Sequence, residues 1–232
     1  MSEYRTSRFE SLSFQNYLTY TFITCGIGLL ISAFSAFITN MAYYYIPEEY
    51  LYMFVLMAII TELGIAFFFS LKLHSMSKNT AWICYIIYCL TTGVSLSLII
   101  RSYAYGSVVS AFMSTAILFI CMSIIGHTSR FDITKLSGLF TGALITLIIV
   151  TLLNVFIFKS SGLDLILCYI GVITFLGLIA YDVRRLRDLY NSGLSDSEIG
   201  EKLMVYGAFQ LYLDFINILL YILRILGNRN RN

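Results

Sequence analysis

Three acidic residues stand out because of the apolar sequence around them: Glu62, Asp182 and Asp214. A carboxylate at the centre of a membrane helix costs about 2.5–3.5 kcal/mol on insertion scales, so such groups usually face a bundle interior or a water-filled path. Carboxylate oxygens bind protons and hard cations such as Ca²⁺. The three acids therefore indicate an ion or proton path. An ion pair or a hydrogen bond to a backbone carbonyl would also account for Glu62 and Asp214, and Asp182, beside three arginines, could be a solvated helix end.

Other patterns that could support catalysis or metal binding are weak. All cysteines lie in apolar segments without a CxxC or Cys/His cluster, so we expect no metal site, no structural disulfide and no cofactor. Tyr181 and Asp182 match the YD motif of intramembrane aspartyl proteases, but those enzymes also need a GxGD block and a Pro-Ala-Leu motif. The sequence has no GxGD block, and Pro47 is its only proline. We therefore predict that the protein is not an enzyme.

Composition indicates that the whole chain lies in a membrane. Of its 232 residues, 59% are hydrophobic and 12% are charged. Soluble domains are about 45–50% apolar and about 25% charged, so this chain has too little charge to cover a soluble surface. The net charge of +2 argues against a nucleic-acid partner. The expected surroundings are therefore a lipid bilayer.

Seven apolar segments are each close to the roughly 20 residues that a transmembrane helix needs. They lie at residues 18–40, 51–73, 81–100, 107–126, 136–158, 163–181 and 203–226. This pattern predicts an all-α membrane protein, a bundle of seven transmembrane helices. The predicted organisation is a cytoplasmic N-terminal tail over residues 1–16, one transmembrane domain over 17–227 and a short tail over 228–232.

The distribution of lysine and arginine favours a cytoplasmic N-terminus. With that orientation the cytoplasmic side holds Arg5, Arg8, Lys72, Lys78, Arg130, Lys135, Arg184, Arg185, Arg187 and Lys202. The outer side holds Arg101, Lys159, Arg224, Arg229 and Arg231. Only about a dozen apolar residues follow Asp214, and at 1.5 Å each they span roughly 18 Å of a core about 30 Å thick. The sequence therefore leaves open whether the last segment crosses fully and on which side the C-terminus lies.

Two blocks near the C-terminus have a distinctive pattern. Residues 175–184 read FLGLIAYDVR, and residues 211–227 read LYLDFINILLYILRILG. Together they resemble the Bax inhibitor-1-like family of membrane proteins, also called the transmembrane Bax inhibitor motif family. The resemblance covers essentially the whole chain, with the same number and order of spans. The long loop at 190–202 looks like that of enterobacterial inner-membrane members, which implies a bacterial inner membrane as the location.

The resemblance implies a seven-helix bundle with the C-terminal helix at its centre and an activity as a pH-sensitive calcium leak channel. Asp182 and Asp214 then form the pH-sensing pair, which binds calcium transiently near the cytoplasmic mouth. Glu62 then lies on the ion path. A basic residue latches the closed state in the family, and Lys72 is the candidate by position. Calcium ions and protons would be the transported partners.

Two other functions fit the same residues. Buried acids serve protons as readily as calcium, so a proton-coupled transporter is one alternative. The other is a non-transporting protein that modulates a membrane protease through its N-terminal tail or its 190–202 loop. Two carboxyl groups in one low-dielectric site cannot both ionise cheaply, so the aspartates should titrate as a coupled pair. We also expect Glu62 to face the bundle interior, with Gly64 allowing a close helix approach on an adjacent face.

Overall fold

The structure, a computed structural model, describes residues 14–72, 75–129, 133–191 and 198–227. Seven long helices follow one another in these residues. Their bounds are α1 Phe14–Ala42, α2 Glu48–Lys72, α3 Lys78–Arg101, α4 Tyr105–Thr128, α5 Ser137–Leu153, α6 Ser161–Leu189 and α7 Glu198–Leu226. By length and composition all seven could cross a membrane, α5 together with the π-helical turn Asn154–Phe158 that continues it. The prediction of an all-α protein with seven transmembrane helices is confirmed.

Local sequence signals fix several helix ends. Pro47 directly precedes α2, and its carbonyl accepts a hydrogen bond from the Tyr50 amide at 3.1 Å. Ser77 caps α3, since its side chain accepts a hydrogen bond from the Thr80 amide at 3.2 Å. A serine oxygen at this position satisfies one of the amides that a helix start leaves without a backbone partner. These two residues set where α2 and α3 begin.

The helices that carry the two aspartates are longer than the sequence predicted. Helix α6 continues to Leu189, eight residues beyond the predicted end at Tyr181, and α7 begins at Glu198 rather than at Leu203. The prediction followed hydropathy, which falls where the charged residues begin. Helical backbone can extend past the apolar part of a span, because charged side chains are compatible with helix once they leave the lipid. Asp182 therefore lies two turns before the end of its helix.

The chain divides into two compact units. The first contains Met1–Ser102 and Asp188–Tyr212. In it, α3 packs closely on α1: a Cβ atom on Gly93 would lie 2.6 Å from the Cβ of Ser35. Aromatic rings join α7 to its neighbours, with Phe209 stacked on Phe69 at 4.5 Å and edge-on to Tyr88 at 4.9 Å between ring centroids.

The second unit contains Tyr103–Arg187 and Leu213–Asn232. Small residues again permit close contact: a Cβ atom on Gly126 of α4 would lie 2.8 Å from the Cα of Ala180 in α6. Helix α7 runs through both units, and more than half of its apolar stretch is buried, a larger share than in the other spans. The predicted bounds of a single transmembrane domain and the central position of α7 stay predictions.

Gly64 does not have the role expected from the sequence. A Cβ atom placed on it would meet nothing within 4 Å, so no helix approaches it closely. The expectation failed because sequence alone does not say which side of α2 faces another helix. Gly93 and Gly126 provide the close approaches instead, since backbone atoms of Ser32 and Ala180 occupy the space beside them.

Candidate functional site

Asp182 is held inside the protein by the extension of α6. Only 6% of the residue is exposed, so the solvated helix-end interpretation is wrong. Two arginines after it reach the last carbonyls of α4: Arg184 donates to the Ser129 oxygen at 2.9 Å, and Arg187 to the His127 oxygen at 3.1 Å. Basic side chains suit a helix C-terminus because they satisfy its free carbonyls and its negative dipole end. The basic cluster thus fixes α6 against α4.

Asp214 lies in the middle of α7 and is 5% exposed. The next residue, Phe215, packs edge-on against Phe112 and Phe119 of α4, with ring centroids 5.6 Å apart in each case. Apolar contacts of this kind keep water away from the neighbouring carboxyl group. An uncompensated charge in such surroundings is costly, so the partners of Asp214 decide what the site can do.

The structure brings Asp182 and Asp214 together. Their carboxyl groups lie close enough to interact directly with each other. A carboxylate only accepts hydrogen bonds, so a bond between two carboxyl groups requires that one of them carries a proton. The Oδ2 atom of Asp214 is buried and has no hydrogen-bond partner among the described residues. The pair therefore consists of two interacting carboxyl groups, one of which has an oxygen without a partner among the described residues.

Arg185 is the cation that acts on this pair from α6. It follows Asp182 by about one turn and attracts its carboxylate through space. Such a charge offsets part of the cost of ionising one buried acid. It does not replace the contact between the two aspartates, so the ion-pair interpretation alone does not describe the site. The role of the aspartates as a pH sensor stays a prediction.

Glu62 belongs to the first unit and points at α3. Ser95 donates a hydrogen bond to its Oε1 at 2.6 Å, and Tyr88 is close enough to interact with it electrostatically. The side chain is half-buried near the middle of α2. A carboxyl group at this depth with a hydroxyl partner is compatible with an ion path and with a structural hydrogen bond. Its assignment to the ion path stays a prediction.

Lys72 is the last residue of α2 and is exposed. Its backbone carbonyl accepts hydrogen bonds from the amides of Ser75 and Met76, at 3.0 and 2.9 Å. These contacts explain how the chain turns after α2. They involve the backbone of Lys72 and not its charge, so the latch role stays a prediction.

In the part of the chain that the structure describes, no three His, Cys, Asp or Glu side chains gather as a metal site would require. Calcium takes roughly six to eight oxygen ligands. Two aspartates supply only part of such a shell, and water would have to supply the rest.

Sequence reasoning missed a set of buried hydroxyl groups in the first unit: Ser32, Tyr88, Thr92 and Tyr212. The sequence did indicate the part of this set that lies on α3, because positions 88, 92 and 95 are spaced so that they share one face of a helix. The contributions of α1 and α7 could not be read in this way, because the contact between Ser32 and Tyr212 joins residues 180 positions apart.

Comparison of the sequence with those of known proteins identifies its relatives. The sequence profile of the family described as "Inhibitor of apoptosis-promoting Bax1" matches residues 14–231. An uncharacterised protein of Borreliella burgdorferi is 38% identical over 225 residues, covering 96% of each chain. The inner membrane protein YbhL of Escherichia coli is 34% identical over 220 residues, or 93% of this chain and 92% of its own.

A third relative extends the comparison to another bacterial group. An uncharacterised membrane protein of Streptococcus pyogenes is 33% identical over 219 residues and covers 91% of each chain. The family profile covers all seven helices, and the relatives align over nearly their whole length. With seven apolar helices and this match, the chain is a membrane protein that belongs to the Bax inhibitor-1-like family.

Proposed function

We propose that the protein is a pH-sensitive calcium leak channel gated by the buried pair of Asp182 and Asp214. One observation carries the proposal: two buried carboxyl groups interact directly, while Oδ2 of Asp214 has no hydrogen-bond partner among the described residues. A buried acid without a full cation partner is expensive in a membrane protein and usually marks an ion or proton path. Family membership supports the same proposal.

The gate would work through one proton. When the pair holds it, one carboxyl donates to the other, and the contact keeps α6 and α7 together at this level. When the proton leaves, two like charges repel each other and favour separation. The ionised oxygens then attract Ca²⁺, which prefers oxygen ligands. Because the proton and the cation compete for the same atoms, calcium flux should fall as the pH falls.

We propose the bacterial inner membrane as the location, with the N-terminus in the cytoplasm. The relative in Escherichia coli carries the name inner membrane protein. The lysine and arginine distribution supports the orientation. The aspartate pair would then lie toward the cytoplasmic side, because Asp182 is near the end of α6 and directly precedes the basic cluster Arg184, Arg185 and Arg187.

The test is calcium flux into proteoliposomes at one acidic and one neutral pH. Wild type should pass more calcium at neutral pH, and Asp214→Asn should reduce the difference between the two conditions. Asp188→Asn is the matched control, because Asp188 lies on the same helix as Asp182 but is exposed. A wild-type protein that passes no calcium at either pH would refute the proposal.

A proton-coupled transporter is the second candidate, favoured by the half-buried Glu62 with its hydroxyl partner Ser95 at 2.6 Å. Saturation of calcium flux together with proton movement in a fixed ratio would identify a transporter. A protein without any flux would instead fit a modulator of a membrane protease or another membrane complex. The same proteoliposomes, with a pH-sensitive dye inside, separate these outcomes.

A further inference from the structure

Helix α3 presents three hydroxyl groups on the face that meets Glu62. Tyr88, Thr92 and Ser95 are spaced by four and three residues, which places them above one another along the helix. Ser95 donates to Glu62, and Tyr88 lies near the same carboxyl group. Tyr212 of α7 continues the row, with its ring centroid 6.0 Å from that of Tyr88. The first unit therefore contains a row of oxygens that leads from α2 across α3 to α7.

At the α7 end the direction of the hydrogen bonds can be assigned. The Ser32 hydroxyl has one proton, which is directed at the carbonyl oxygens of Cys89 at 2.7 Å and Gly28 at 3.0 Å. The Ser32 and Tyr212 hydroxyls are 2.7 Å apart. Because the serine proton is already used, Tyr212 is the donor in this bond. The tyrosine oxygen then keeps its lone pairs for a donor on its other side.

Thr92 is the residue on that other side. It is 4% exposed, and its Oγ1 forms no hydrogen bond with any described residue. The atom nevertheless lies near the hydroxyl groups of both Tyr88 and Tyr212. An unsatisfied buried hydroxyl destabilises the folded state and calls for an explanation. A hydroxyl between two others can turn its single proton toward either neighbour, so Thr92 can pair in two alternative directions.

We propose that Tyr88, Thr92 and Tyr212 are positioning residues that couple the protonation state of Glu62 to α7. An ionised Glu62 accepts a hydrogen bond from the Tyr88 hydroxyl. The Tyr88 oxygen then accepts a hydrogen bond from Thr92, and the Thr92 oxygen accepts one from Tyr212. Tyr212 thereby gives up its hydrogen bond to Ser32. A protonated Glu62 allows the opposite direction, with Thr92 donating to Tyr212 and Tyr212 to Ser32. The hydroxyls keep their own protons throughout, and only the direction of the hydrogen bonds reverses.

The coupling would adjust how firmly α7 is held on α1. This inference rests on the proposed function only in taking Glu62 as an acid that changes its protonation state. The titratable groups that face the row come from four helices. They are Cys25 on α1, Glu62 on α2, Tyr85, Tyr88 and Cys89 on α3, and Tyr212 on α7. Glu62 is the acid of this set that can ionise near neutral pH without an unusual environment, because tyrosine and cysteine ordinarily ionise only above it.

A double-mutant cycle on the full-length protein in detergent tests the coupling by thermal unfolding at several pH values. The variants are Glu62→Gln, Tyr212→Phe and the combination of the two. We expect their shifts in melting temperature to depart from additivity by about 2 °C or more. We also expect Glu62→Gln to remove part of the pH dependence of the melting temperature from wild type. The part that it removes should be smaller in the Tyr212→Phe background. Thr92→Val should break the row in the middle and give the same reduction.

Two controls separate coupling from loss of packing. Tyr85→Phe removes a buried hydroxyl from the same helix, one that donates to the Thr24 carbonyl at 3.0 Å. Thr115→Val matches Thr92→Val, and its hydroxyl donates to the Ala111 carbonyl at 2.8 Å. Both controls should be additive with Glu62→Gln. The inference would be overturned if the shifts in melting temperature of Tyr212→Phe and Glu62→Gln were additive. It would also be overturned if the control variants departed from additivity with Glu62→Gln by the same amount. The measurement needs no calcium flux, so its result is independent of whether the protein is a channel.

Discussion

At the residue scale, the aspartate pair differs from an ordinary buried ion pair. A buried carboxylate normally has a cation or several donors around it, because desolvation is otherwise too costly. Here Asp182 and Asp214 contact each other, and Arg185 acts on the first of them only through space. The cheapest way to bury two such groups is to let them share a proton. This arrangement supports the proposal that their charge changes with pH or with a bound cation.

This view predicts that the two acids act as one unit. Asp182→Asn and Asp214→Asn should each flatten the pH dependence of calcium flux, because either change removes the like-charge repulsion. The effect of the double variant should differ from the sum of the two single effects. The interaction free energy should be about 0.5–3 kcal/mol, the range typical of neighbouring residues that interact. Flux measured across a series of pH values checks the result. Strictly additive effects, or single variants that keep the wild-type profile, would rule out a coupled pair.

At the element scale, the helices pack through small residues and buried hydroxyls. Lipid tails are as apolar as leucine, so helices in a bilayer gain stability from close contact and hydrogen bonds rather than from escape from water. Gly93 and Gly126 permit such contact in the first and second units, each at a point where another backbone occupies the neighbouring space. The arginines at the end of α6 add hydrogen bonds to α4 outside the apolar region.

Replacing Gly126 should therefore destabilise the second unit. In Gly126→Leu the new side chain would collide with the backbone of Ala180, and overpacking of this kind costs about 1–3 kcal/mol or more. For a chain of this length that corresponds to a fall of several degrees in melting temperature, about 2–4 °C per kcal/mol. Gly64→Leu is the control, since nothing lies within 4 Å of its new Cβ. Equal melting temperatures for the two variants would contradict this account of the packing.

At the scale of the whole molecule, the orientation in the membrane decides what the aspartate pair senses. If the N-terminus is cytoplasmic, the chain after α6 returns to the cytoplasm, and the proposed pH sensor would respond to cytoplasmic pH. Asn191, two residues after α6, and Tyr105 at the start of α4 would then lie on opposite sides of the membrane. Both are exposed, and Tyr105 is 84% exposed.

Cysteine labelling on a background without the five native cysteines tests this orientation. Asn191→Cys should resist a membrane-impermeant reagent in intact cells and react after lysis. Tyr105→Cys should react in intact cells. The reverse pattern would invert the whole assignment, place the pair toward the outer side and make external pH the relevant signal.

The sequence by itself determined the class of protein, the number of spans and the three acids, because these depend on composition and on hydropathy along the chain. It also carried the family resemblance in the blocks around Asp182 and Asp214. Helix ends were less accurate: α6 extends eight residues past its predicted end, since hydropathy marks the edge of the lipid and not the edge of the helix. Gly64 was wrongly expected to permit close contact, because hydropathy does not say which face of a helix meets a neighbour.

Only the tertiary structure decided which side chains meet. It placed Asp182 inside the protein rather than at a solvated helix end, and it brought the side chain of Asp214 into contact with it. It also placed Thr92 near the hydroxyl of Tyr212, which follows it by 120 positions. Such contacts depend on the rotation and register of each helix about its own axis. These are set by the packing of many residues at once, and no local pattern in the sequence encodes them.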